Sequence, residues 1–159
     1  MRKLFISFLL VFVFISASAQ VKIYNPDADA EKELSDALTK AKEDNKHVFI
    51  QVGGNWCPWC VKLHNFMKEE AQVDSMLHAN YVVMKLNYSS ENKNPELMKR
   101  LGYPQRFGFP VIVILDAEGN RIHTQNSAYL ELDKGYDKQK IMGFLKDWSP
   151  AALNPEKYK

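Results

Sequence analysis

The chain has 159 residues, a length that favours a single domain over two. Lys and Arg number 21 against 19 Asp and Glu, a formal charge of +2, so there is no electrostatic case for a nucleic-acid surface. The start of the chain stands apart from the rest. Arg2 and Lys3 are followed by an apolar run from Leu4 to Ile15 broken only by Ser7, and Ala17-Ser18-Ala19 is a small-residue cleavage site. This is the pattern of a secretory signal peptide cut after Ala19, with an apolar core too short for a membrane span. Removing it takes away Arg2 and Lys3 and leaves residues 20–159 with balanced charge and enough length to bury a core. No cysteine stands at the cleavage site to carry a lipid anchor. The expectation is an exported protein with no membrane span in the mature chain.

In chain order, Gln20 to Ala30 reads as a leader with a short edge strand at Val21-Lys22-Ile23-Tyr24. From Ala30 to Lys46, Leu34, Ala37, Leu38 and Ala41 recur at the spacing of one helix face. His47 to Val52 is a short apolar run suited to a buried strand. Gly53-Gly54-Asn55 punctuates it, and a long helix is predicted from Pro58 to about His78, carrying Leu63, Phe66, Met67, Val73, Met76 and Leu77. Tyr81 to Tyr88 reads as a strand, Ser89 to Asn94 as a polar loop and Pro95 to Leu101 as a short helix. After an irregular stretch from Gly102 to Phe109 comes the fully apolar strand Val111 to Leu115. A turn at Asp116 to Asn120 leads into Arg121 to Gln125, whose alternation marks an edge strand. A loop through Gly135 precedes a last helix with Ile141, Phe144, Leu145 and Trp148 on one face, stopped by Pro150 and followed by a loosely held tail. The first two strands, joined by a long helix, are expected to be parallel and the final pair an antiparallel hairpin.

Only two cysteines occur, Cys57 and Cys60, both within Trp56-Cys57-Pro58-Trp59-Cys60. In an exported chain the plain reading is one structural disulfide. A bridge between residues three apart closes almost the smallest loop available, however, and constrains the unfolded chain very little. A zinc site lacks its fourth ligand, even if His64, one turn beyond Cys60, supplied a third. Covalent haem attachment fails because Val61 follows Cys60 where a histidine is required. A redox-active pair is the reading that remains strongest.

Set at a strand-to-helix junction, Gly53-Gly54-Asn55-Trp56-Cys57-Pro58-Trp59-Cys60 resembles the active-site segment of the thioredoxin-fold family. Gly108-Phe109-Pro110 before an apolar strand and an Asp-x-x-Gly turn after it add to the likeness, which covers roughly residues 30–148. The resemblance implies an α/β protein with a three-layer α/β/α thioredoxin fold, a central mixed sheet of about four strands and an additional N-terminal helix. Residues 20–159 would form one domain. It also implies that Pro110 is the family's cis-proline facing the cysteines, and that the Phe109 backbone pairs with an extended peptide bound beside them. A cysteine at a helix N-terminus is favoured as thiolate. Cys57 is therefore expected to attack and Cys60 to resolve the mixed disulfide. Trp56 is expected to pack beside the site, partly as core, and Trp59 at an exposed rim. Together with Pro58, Phe109 and Pro110 they form the expected substrate-binding set. Tyr103 and Phe107 either join Trp59 and Phe109 in an apolar lip or belong to the core.

One departure stands out. Thioredoxins and several of their relatives carry a buried Asp or Glu six residues before the first cysteine, and here that position is Gln51, which takes up no proton at ordinary pH. His64 either assists Cys60 or is a solvated helix-face residue; His47, His78 and His123 read as boundary or surface residues. The function implied is a thiol–disulfide oxidoreductase exported to a periplasm and acting as a monomer on protein substrates. It would lean to reduction, receive electrons from a membrane or periplasmic redox partner, and use no cofactor beyond the Cys57–Cys60 pair. An oxidant or isomerase, and a non-catalytic binding module, are the alternatives.

Overall fold

Two wholly buried strands organise the molecule: β1 (His47–Gly53) and, antiparallel to it, β3 (Val111–Leu115). The computed structural model describes residues 22–159; the predicted signal peptide and its cleavage site lie outside them. β2 (Tyr81–Asn87) runs parallel to β1 on one side, and β4 (Arg121–Asn126) pairs antiparallel with β3 on the other. The sheet order is β2-β1-β3-β4, the mixed four-stranded sheet expected. Continuous apolar runs at β1 and β3 follow from this central placement, because both faces of the sheet are covered.

Alternation along the strands divides the core into two layers. Val48, Ile50 and Val52 of β1, with Val111, Val113 and Leu115 of β3, pack against α1 (Ala30–Glu43) and α4 (Pro95–Arg100). Phe49, Ile112 and Ile114 face α2 (Pro58–Glu69), α3 (Ala71–Asn80) and α5 (Lys138–Asp147). The same alternation puts Gln51 on the α2 side of the sheet. α1 is the additional N-terminal helix; it starts at Asp29, whose side chain accepts the Lys32 N–H.

Several boundaries differ from those expected. The long helix after Pro58 is two helices, because Glu70 takes an extended conformation (φ −82°, ψ 95°). In an unbroken helix Val73 would lie about 120° round from Met67. The break returns Val73 and Leu77 to the buried face. Lys22 to Tyr24 forms no strand, while Val21 lies outside the described residues. The segment after β4 is not a plain loop: it forms a 3-10 turn over Ser127–Leu130 and a small hairpin of β5 (Glu131–Leu132) and β6 (Gly135–Tyr136). Pro150 begins a further short helix, α6 (Pro150–Leu153), capped by Ser149, so the tail is structured. His47 is buried rather than at a boundary, with Nδ1 2.9 Å from the Trp148 carbonyl; His78 is exposed and His123 is a half-buried boundary residue stacked on the Trp148 ring at 4.1 Å.

Candidate active site

β1 ends at Gly53 and α2 begins at Pro58, so the intervening residues form a tight strand-to-helix turn. Cys57 is the N-cap of α2: its backbone is extended (φ −99°, ψ 103°) and its Sγ accepts the Cys60 N–H at 3.2 Å. Pro58 takes the first helical position, where a missing N–H leaves nothing unsatisfied. Cys57 and Cys60 are joined in a disulfide, with Cα atoms 5.3 Å apart. The positive end of the helix dipole and the unspent N–H groups of the first turn lie at the Cys57 sulfur, an environment that favours thiolate once the bond is reduced. Cys57 retains 4% exposure and Cys60 none, so an incoming sulfur reaches Cys57 first.

Pro110 is buried and its bond to Phe109 is cis. Phe109 and Trp59 both pack against the buried cluster of Tyr24, Cys57 and Cys60. The two tryptophans exchange the exposures expected of them. Trp56 is 53% exposed; its Nε1 donates to the Tyr88 carbonyl at 2.8 Å and its ring meets Phe109 edge-on at 5.4 Å. Trp59 is only half-exposed, because it lies edge-on against Tyr136 of the β5–β6 hairpin at 5.6 Å, with Lys62 Nζ 4.2 Å above its ring. Trp56 precedes the helix and no layer covers it. Phe109 also tilts onto Tyr88 at 4.9 Å, while Tyr103 and Phe107 are exposed and Arg106 lies over Phe107. The apolar rim beside the cysteines is therefore Trp56, Phe109 and Tyr88.

Behind the disulfide lies a buried polar group. Gln51 is fully buried; its Nε2 donates to Tyr24 Oη at 2.8 Å and to the Cys60 carbonyl at 2.9 Å, and its Oε1 accepts from Lys85 Nζ at 2.5 Å. Lys85 pairs with Gln51 in register across β1 and β2. Burial disfavours its ammonium and brings its pKa down to about 8. Burial also raises Tyr24 above the ordinary tyrosine value, against the smaller opposing effect of the Gln51 hydrogen bond. Asn55 places Tyr24: its Oδ1 accepts from the Ile23 and Tyr24 N–H groups and its Nδ2 donates to the Tyr24 carbonyl. The segment read as a leader is thus folded down over the cysteines. Gly53 leaves room for it, since a Cβ there would overlap Cys60 Sγ and come within 2.8 Å of Tyr24 Oη.

His64 is half-buried and lines a groove of about 470 Å³ with Lys68, Asp74, His78 and Lys85. Burial first, then the charges of Lys85 and Lys68, lower its pKa below the ordinary histidine value. Among the described residues no group of three or more His, Cys, Asp or Glu side chains could hold a metal ion.

A cysteine pair at the start of the helix that follows a buried parallel strand, together with a cis proline immediately before an antiparallel strand, defines a thioredoxin-like protein. The sequence matches the model of the thioredoxin-like domain over residues 34–134, more than half the chain, and the chain belongs to that family. Among solved structures, a disulphide isomerase from Xylella fastidiosa Temecula1 is similar with a TM-score of 0.71 at 24% identity, covering 81% of this chain and 98% of that one. A thioredoxin from Thermus thermophilus is similar with a TM-score of 0.53 at 20% identity, covering 71% and 81%. At such identities the likeness is one of fold. No curated protein matches the chain.

Tyr24, Asn55, Lys85, Tyr88 and Tyr136 were not legible as site residues in the sequence. For Lys85 a signal existed: it and Gln51 are polar residues inside otherwise apolar strands. Their meeting becomes visible only when the β1–β2 register is known.

Proposed function

We propose that the chain is an exported thiol–disulfide oxidoreductase that exchanges disulfides with protein substrates and works as a reductant. The observation that carries this reading is the Cys57–Cys60 bond at the N-cap of α2, where Cys57 retains slight exposure and Cys60 none. Cys57 attacks a substrate disulfide, and Cys60, one turn deeper, displaces the substrate from the mixed disulfide. Trp56, Pro58, Trp59, Phe109 and Pro110 form the surface on which an extended substrate segment lies. The cysteine pair is itself the redox group and no further cofactor takes part. Turnover in a periplasm draws electrons from a membrane or periplasmic partner, and the chain works as a monomer. Support against an inert bridge is energetic, since so small a loop adds little stability.

Replacing Cys60 with Ala leaves Cys57 without its resolving partner, so mixed disulfides with substrate proteins accumulate in the native compartment and are identified after non-reducing separation. Absence of any trapped species overturns the reading. A Cys57–Cys60 reduction potential near about −270 mV supports the reductant, whereas one of about −120 to −180 mV makes the protein a donor of disulfides. A pair that does not equilibrate with glutathione buffers points to a binding module.

A further inference from the structure

The hydrogen bonds behind Cys60 have directions that chemistry dictates. A lysine ammonium only donates, so Gln51 Oε1 faces Lys85 and the amide orientation is set. A carbonyl only accepts, so one Gln51 N–H goes to the Cys60 carbonyl and the other is left for Tyr24 Oη. Tyr24 Oη is therefore an acceptor in that bond, and its own proton remains to be placed. Tyr24 is 3% exposed, and buried hydroxyl protons are seldom left unused. The sulfur of Cys60 packs in the same buried cluster, and both it and Tyr24 Oη crowd the same side of Gly53. As half of a disulfide that sulfur is a poor acceptor. As a thiolate it is a strong one.

We propose that, in the dithiol form, Tyr24 Oη donates its hydrogen bond to Cys60 Sγ and stabilises the Cys60 thiolate, with Gln51 and Lys85 acting as positioning residues. This rests on the redox reading of the pair given above. From Lys85 N–H to the Gln51 amide, from that amide to the Tyr24 hydroxyl, and from the hydroxyl to sulfur, every donor points toward Cys60, so each bond polarises the next. The device replaces the proton-accepting carboxylate that Gln51 does not provide. In the resolving step Cys60 loses its thiol proton to solvent. Its thiolate attacks Cys57 Sγ, the bond from Cys57 to the substrate sulfur breaks, and the electron pair leaves on that sulfur, which takes a proton from solvent. Charged and titratable groups around Lys85 are His64 and Lys68 of α2 and Asp74 and His78 of α3. Glu33 and Asp36 of α1 line a second groove with it. Near Tyr24 the further titratable group is Tyr136, whose Oη donates to the Trp59 carbonyl at 3.3 Å.

The test is the pH profile of Cys60 alkylation by iodoacetamide in a Cys57→Ser background, alongside thiolate absorbance. Tyr24→Phe removes only the hydroxyl and is expected to slow alkylation at neutral pH about tenfold, moving the profile up by about one pH unit. Lys85→Gln keeps an N–H for Gln51 and removes the charge; it is expected to give a smaller shift in the same direction. A fluorotyrosine introduced at position 24, a stronger donor of the same shape, moves the profile the opposite way, and decides the matter should Tyr24→Phe not fold. Profiles superimposable on the parent for Tyr24→Phe, or for the fluorotyrosine chain, overturn the proposal. The titration needs no substrate or partner, so its outcome is independent of whether Cys60→Ala traps mixed disulfides.

Discussion

Replacing Lys85 with Met exposes the cost of keeping a lysine beneath the sheet. The folded chain holds the Lys85 proton with a pKa of about 8 against an ordinary 10.5, because burial penalises the charged form. Below pH 8 both folded and unfolded chains carry the proton and the whole penalty is present. Between pH 8 and 10.5 the unfolded chain binds more protons than the folded one, so stability rises with pH. A difference of 2.5 pH units at about 1.4 kcal/mol each gives about 3 kcal/mol as an upper bound, since part of the side chain reaches solvent. Lys85→Met abolishes this pH dependence. It also removes the hydrogen bond to Gln51, at a cost of about 1–3 kcal/mol that does not vary with pH. The assay is urea unfolding of the oxidised protein from pH 7 to 10.5, followed by tryptophan fluorescence, with parent and variant compared at each pH. The stability of the parent relative to the variant is expected to climb by up to about 3 kcal/mol across pH 8 to 10.5. A flat difference would refute the reasoning, because it would mean the ammonium is as well solvated in the fold as in the unfolded chain.

Gly53→Ala forces a Cβ onto Cys60 Sγ and against Tyr24 Oη, so it is expected to cost about 1–3 kcal/mol and to displace either the disulfide or the tyrosine. An unchanged urea midpoint would show that the strand end has slack. Asn55→Ala removes the acceptor for the Ile23 and Tyr24 N–H groups and the donor to the Tyr24 carbonyl. Amide hydrogen exchange at residues 23 and 24 is expected to accelerate by at least about tenfold while exchange in β1 and β3 is unchanged, and equal protection in both chains would show that other contacts hold the segment.

The candidate catalytic pair was legible from local signals alone. Cys57 and Cys60 lie three residues apart, and the punctuation by Gly53, Gly54 and Pro58 places them at a strand-to-helix turn without any long-range information. The strands at His47–Val52 and Val111–Leu115 were equally legible, because a strand covered on both faces reads as a nearly continuous apolar run, interrupted in the first by Gln51. Elements whose limits depend on what they pack against were less so. Periodicity carried the helix after Pro58 straight past Glu70, since Phe66, Met67, Val73 and Leu77 look continuous on paper. Only contact with the sheet and α5 shows that Val73 must be rotated back to the core.

Residue chemistry within a few positions of the cysteines thus pointed to the family and the expected reacting atoms, because helix capping, alternation and turn formation act over short stretches of chain. The surroundings of the pair were decided by the tertiary structure. Tyr24 reaches Cys60 only because Asn55 binds the N-terminal segment. Lys85 reaches Gln51 only through the parallel register of β1 and β2. Trp59 is half-covered only because the small β5–β6 hairpin brings Tyr136 against it. Each of these contacts joins residues far apart in sequence, and no local pattern encodes which distant side chain will fill a given space.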